Sequence, residues 1–136
     1  MDPLSSISAI AASGMRAQGE RLRIVSENVA NADSTGSTPG AEPYRRKTLA
    51  FEELVDREIG ASLVTVDKIG RDKTPFTLMH DPAHPAADAA GMVKMPNVNP
   101  ILEMSNMREA SRSYEANMNM FEAGRDMRSQ MLDLLR

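Results

Sequence analysis

The chain has 136 residues, enough for about one domain, with 16 Lys and Arg against 19 Asp and Glu and a formal charge of -3. That balance argues against a nucleic-acid binder, which needs a basic face to displace counterions. The absence of Cys excludes disulfides, thiolate metal sites and thiol nucleophiles, and no apolar run approaches the ~20 residues of a membrane span.

Seven of the 8 Pro lie between Pro39 and Pro100, whereas six of the 11 Met lie beyond residue 100. The chain therefore reads as a helix, an irregular middle and a second helix. The first helix is expected over Pro3–Ala32. Asp2 suits its N-cap and Pro3 its first position, where the missing N–H costs nothing. Leu4, Ile7, Ala11, Gly14, Leu22, Val25, Val29 and Ala32 recur at helical spacing. This stripe is weak, because Ala and Gly bury little and Gly14 and Gly19 each cost up to about 1 kcal/mol of helix propensity. The segment is expected to be poorly ordered in isolation. The opening Met1-Asp2-Pro3 has neither a basic nor an apolar leader region, so a cleaved secretory signal is not expected.

Residues 33–100 read as turns and short strands. Asp33–Gly40 is a loop by composition. Tyr44–Leu49 reads as extended, Phe51–Ile59 fits either a short helix or a strand, and Ala61–Ile69 reads as a strand. Phe76–Met79 and Met92–Met95 are shorter candidates, with turn chemistry in His80-Asp81-Pro82-Ala83-His84-Pro85 between them. Asn99-Pro100 opens the last helix, expected over Pro100–Leu135. Its stripe is Met104, Met107, Ala110, Tyr114, Asn117 with Met118, Phe121, Gly124, Met131 and Leu134 with Leu135. Such a helix is about 50 Å long against a globule about 30 Å across, so it must pair with the first helix and still leave apolar surface for other molecules. The fold class is thus mainly α with a small β-rich middle, its terminal helices paired as a coiled coil. The divisions are 1–33, 34–100 and 101–136.

Chemistry is sparse. His80 and His84 with Asp81 and Asp88 have a metal-like composition, but Pro82 and Pro85 forbid the helix that would bring both imidazoles to one face. No Gly-x-Ser-x-Gly elbow or base-nucleophile pair is present, so no catalytic residue, metal or cofactor is assigned. Arg45-Arg46-Lys47 precedes Glu52, Glu53 and Asp56 and reads as a local or inter-subunit salt link. The residues expected at the core or subunit interfaces are Leu4, Ile7, Leu22, Val25, Asn28, Asn31, Met104, Met107, Tyr114, Asn117, Met118, Phe121, Met131 and Leu135. Arg45, Arg46 and Lys47 are candidates for polar contacts between subunits.

Ser13-Gly14-Met15-Arg16-Ala17-Gln18, leading to Asn28-Val29-Ala30-Asn31-Ala32, resembles the signature of bacterial flagellar rod and hook proteins. Pro43–Lys47, Asp81–Pro85, Pro96–Asn99, Glu103-Met104 and Ala110–Asn117 resemble its proximal-rod branch, in the same order. The pattern departs at Met92, where an aromatic is expected, and in the long Ser/Thr/Gly loop at 34–40. The resemblance implies a non-enzymatic subunit exported unfolded through the flagellar type III apparatus. It would polymerise helically in the periplasm into a hollow shaft lined by the terminal helices, transmitting torque from motor to hook. Its partners would be copies of itself, FlgB-, FlgF- and FlgG-type subunits and the rod-base adaptor FliE. The bottom-up alternative is a cytosolic coiled-coil adaptor or dimerisation module.

Overall fold

The computed structural model describes residues 3–136. The expected Asp2 cap lies outside the described residues. Element order is α1 (Pro3–Ala30), β1 (Lys47–Asp56), β2 (Ala61–Arg71), β3 (Thr77–His80), β4 (Met92–Met95) and α2 (Pro100–Leu134). Two long terminal helices thus enclose two small sheets, the fold class expected from the sequence. α1 ends two residues before Ala32, because residues 31–33 form a turn in which Asn31 and Ala32 donate to Glu27 O and Val29 O. At the other helix, Asn99 Oδ1 accepts from the Ile101 and Leu102 amides, the N-cap that Asn99-Pro100 announced.

The ambiguous stretch after Ala50 resolves as strand. Lys47–Asp56 pairs with Ala61–Arg71 in a two-stranded sheet, which supplies backbone partners along ten residues. A helix that short would carry the full cost of nucleation for few hydrogen bonds. Tyr44–Arg46 stays outside the strand. Asp56 makes the turn: its Oδ1 accepts from the Glu58 and Ile59 amides, and Gly60 closes it at φ 67° with its N–H on Asp56 O. β3 and β4 are antiparallel, with Thr77 opposite Met95 and His80 opposite Met92.

The chain divides into two compact units. One holds the chain up to Leu22, Leu49–Lys68 and the chain from Arg108 onward. In it α1 and α2 run antiparallel. The space over Gly124 is bounded by Ser8 and Ile7, that over Gly14 by Asn117, and Arg21 reaches Glu109 at 3.1 Å. These contacts step by about seven residues along both helices, the heptad repeat of a coiled coil. β2 lies on another face of α1: Ser13 is buried, its hydroxyl donating to Ile10 O at 2.7 Å and accepting from the Val64 amide at 3.1 Å. Ser6 Oγ donates to Ile59 O at 3.4 Å.

The other unit holds Arg23–Thr48 and Ile69–Met107. Its buried side chains include Ile24, Val25, Asn28, Ala86, Val93 and Glu103. The turn between β3 and β4 is tied to the loop after α1 by a hydrogen bond from Gly40 N to Ala86 O and by His84. His84 Nδ1 accepts from the Ala86 amide at 3.0 Å, so the ring proton sits on Nε2 and faces Thr35 Oγ1 at 3.1 Å. Asp88 Oδ1 accepts from the Ala90 and Met92 amides. His84 and Asp88 are thereby used to build the turn.

The two glycines of α1 have different roles. A β-carbon at position 14 would stand 2.6 Å from Asn117 Oδ1, whose amide nitrogen is tethered to Ser113 O; one at position 19 would meet nothing within 4 Å. Gly14→Ala is expected to lose about 1 kcal/mol net, since an overpacking cost of about 1–3 exceeds a propensity gain of about 1. Gly19→Ala gains up to about 1 kcal/mol. Thermal melts of the two variants should move in opposite directions.

Candidate functional site

The residues that close the helix pair in the second unit are polar. Asn28 lies in the last turn of α1, 1% exposed. Its side-chain amide treats Lys47 as a neighbouring strand would: Oδ1 accepts from Lys47 N at 2.9 Å and Nδ2 donates to Lys47 O at 2.9 Å. Tyr44 Oη donates to the same Oδ1 at 2.8 Å. Burial holds the Tyr44 phenol above its ordinary range, which keeps it a donor into alkaline solution. Asn28 Nδ2 also faces Glu103 Oε2 at 3.4 Å. Asn31 caps instead: its Nδ2 donates to Glu27 O at 2.8 Å, and its Oδ1 accepts from Ser34 Oγ.

Glu103, one turn into α2, is 1% exposed and receives Arg46 Nε on Oε1. Arg46 Nη1 reaches Asp72 Oδ2 at 3.4 Å, and the Arg46 backbone is held on both sides, its N–H on Asn97 Oδ1 and its C=O by the Asp72 amide. Asn97 Nδ2 in turn donates to the carbonyls of Asp72 and Thr74. Arg45 donates to Asp72 O and stacks 4.2 Å over the Phe76 ring; Lys47 Nζ pairs with Glu27 at 2.6 Å. The three basic residues therefore find partners within this unit, from Glu27, Asp72 and Glu103. Glu52, Glu53 and Asp56, adjacent in sequence, are not those partners.

Two carboxylates here are depressed. Asp72 is lowered first by the backbone N–H of Thr74 and then by its hydroxyl, and Glu27 first by the hydrogen bond from Lys47. Groups lowered in the folded state contribute stability above their unfolded pKa and lose it as pH falls through the folded value. Stability should fall as pH drops below about 4, and Asp72→Asn should flatten that acid limb in denaturant titrations at graded pH.

The remaining expected positions divide by burial. Val25 and Asn28 are buried; Leu4, Ile7, Leu22, Asn31, Met107, Tyr114, Asn117 and Phe121 are half-buried; Met104, Met118, Met131 and Leu135 are exposed. The seam of α2 runs through Glu103, Met107, Ala110, Tyr114, Asn117, Phe121 and Gly124. Its phase starts at Glu103, which leaves Met104 and Met118 on the flank. Glu103 and Ser13 stand in segments that carry the family resemblance, yet neither marks a core position locally: a Glu in the first turn usually complements the helix dipole in solvent, and nothing near Ser13 points to its strand partner.

The pattern of the family described as "Flagella basal body rod protein" matches residues 9–38, and that described as "Flagellar basal body rod FlgEFG protein C-terminal" matches residues 89–134. The chain is 55% identical over 136 residues to the flagellar basal-body rod protein FlgC of Agrobacterium fabrum, covering all of this chain and 98% of that protein. It belongs to the FlgC family of flagellar basal-body rod proteins. Other FlgC proteins agree: that of Escherichia coli O157:H7 is 40% identical over 131 residues, and that of Bacillus subtilis 35% over 140. The covered shares are 96% and 92% of this chain, and 97% and 93% of those proteins. FlgC proteins are structural rod subunits, not enzymes, and a rod subunit assembles with other rod subunits. Membership sets aside the cytosolic adaptor. No helix among the described residues is long and apolar enough to cross a membrane. Both matched segments contain parts of the polar network, Asn28 in the first and Glu103 with Asn97 in the second.

Proposed function

We propose that this chain is a subunit of the proximal rod, polymerising helically through its terminal helices into the hollow shaft that carries torque from motor to hook. The carrying observation is the 55% identity to a FlgC protein along the whole chain. Segments 1–33 and 101–136 line the tube, and 34–100 forms the connecting segment. FlgB-, FlgF- and FlgG-type subunits and FliE are its neighbours in the periplasm, reached through the type III apparatus. The exposed Met and Leu side chains of α2 support this reading, since no described residue of this chain covers them. The Asn28–Glu103 network holds the two helices in one phase, so that every subunit presents the same surface.

Removing the chain from cells should abolish both rods in isolated basal bodies and swimming. Intact rods in its absence would overturn the reading. Assembly coupled to ordering predicts a second result: by hydrogen exchange, the exposed last turns of α2 beyond Arg128 exchange freely in the dilute chain and become protected in the rod.

A further inference from the structure

The seam that α2 presents to α1 continues past the end of α1. Glu103, Ala110, Asn117 and Gly124 recur every seven residues, and the next step is Met131; the line of Tyr114 and Phe121 passes Arg128 before it reaches Leu135. With Ser8 beside Gly124, the antiparallel register brings Pro3 only to the turn around Arg128. No described residue of α1 stands opposite Met131 or Leu135, which are 51% and 80% exposed. Leu132 and Leu134 beside them are exposed as well. An interface formed within the chain thus extends onto surface that no described residue of α1 covers.

α1 carries a feature of complementary shape. Gly19 sits mid-helix, where glycine is a poor helix former, yet a β-carbon there would meet nothing within 4 Å among the described residues. Gly14 shows what such a gap does in this fold: the Asn117 side chain fills the space a side chain at 14 would take. Gly19 lies with half-buried Met15 and Leu22 on one face of the helix, at spacings of four and three, turned away from Gly14.

We propose that the C-terminal turns of α2 dock Met131 and Leu135 on the Met15–Gly19–Leu22 face of α1 in a second copy, with a methionine seated in the gap over Gly19. The flexible thioether suits a shallow notch. Two different surfaces meet, so the contact is heterologous and repeats from copy to copy without closing on itself as a dimer. The inference rests on the reading of the chain as a rod subunit and names the faces that meet.

The test uses full-length chains in cells lacking their own copy. Gly19→Leu sets a bulky side chain in the gap, where its β-carbon meets nothing within 4 Å, and should leave the purified protein folded with undiminished helix signal. Its amount in isolated basal bodies should fall at least tenfold. Gly19→Ala, which strengthens the helix as much but leaves room, should assemble normally; this separates docking from any effect of helix strength on export. Because the chain has no Cys, Met15→Cys with Leu135→Cys should give a ladder of disulfide-linked copies in assembled rods, and neither single variant should. Normal incorporation of Gly19→Leu, no ladder in assembled rods, or linking by one single variant alone overturns the contact. Absence of the unaltered chain from rods would instead overturn the rod reading itself.

Discussion

Asn28→Ala is expected to destabilise the chain by about 3 kcal/mol. The substitution removes both hydrogen bonds to the Lys47 backbone and the acceptor of Tyr44 Oη. Lys47 N–H and C=O are then left with no water to replace the amide, because the site is closed by Tyr44 and Glu103. Asn28→Asp should do no better. It keeps the acceptor but loses the donor to Lys47 O, and it sets a second carboxylate against Glu103. Urea unfolding of the purified chain measures both. A loss under 1 kcal/mol for Asn28→Ala would mean that the Lys47 segment finds other partners. The same variant should fail to enter rods, since the phase of the helix pair is fixed there.

The second large effect belongs to Arg46. Glu103 is buried and Arg46 is its cation, itself about three-quarters covered. Arg46→Met leaves an uncompensated carboxylate in the interior and should cost about 3–5 kcal/mol. Glu103→Gln in that background removes the stranded charge while keeping an acceptor for Asn28, and should recover most of the loss. The double-mutant cycle reads the pair directly, with a coupling of about 2 kcal/mol. Arg46→Lys should recover little, because a lysine has no fork with which to reach Glu103 and Asp72 together. Near-additive losses in the cycle would show that the two residues act separately.

These two residues also separate what was legible from what was not. Asn28 stood in a motif that pointed to the end of a helix, and its polarity there matched a need for carbonyl partners. The structure gives that capping role to Asn31 and turns Asn28 inward. Only the return of the chain at Lys47 distinguishes them, and that return lies nineteen residues later. Arg46 read as part of a basic triplet facing the acidic residues next to it. Its partners, Asp72 and Glu103, are 26 and 57 residues away, a distance over which sequence carries no electrostatic signal.

The sequence by itself determined the two helices, the Asn99 cap of α2, the strand at Ala61 and the turn around His84, because each rests on local chemistry: periodicity, the fixed φ of proline, and side chains that bond to nearby amides. It also determined that α2 is too long to be covered by one chain. The tertiary structure decided the phase of the α2 seam, which begins at Glu103 where the apolar pattern pointed to Met104. It also decided which of Gly14 and Gly19 is packed. Both depend on the rotation of one helix against another, set by a few buried polar contacts whose partners are distant in sequence and invisible to any local pattern.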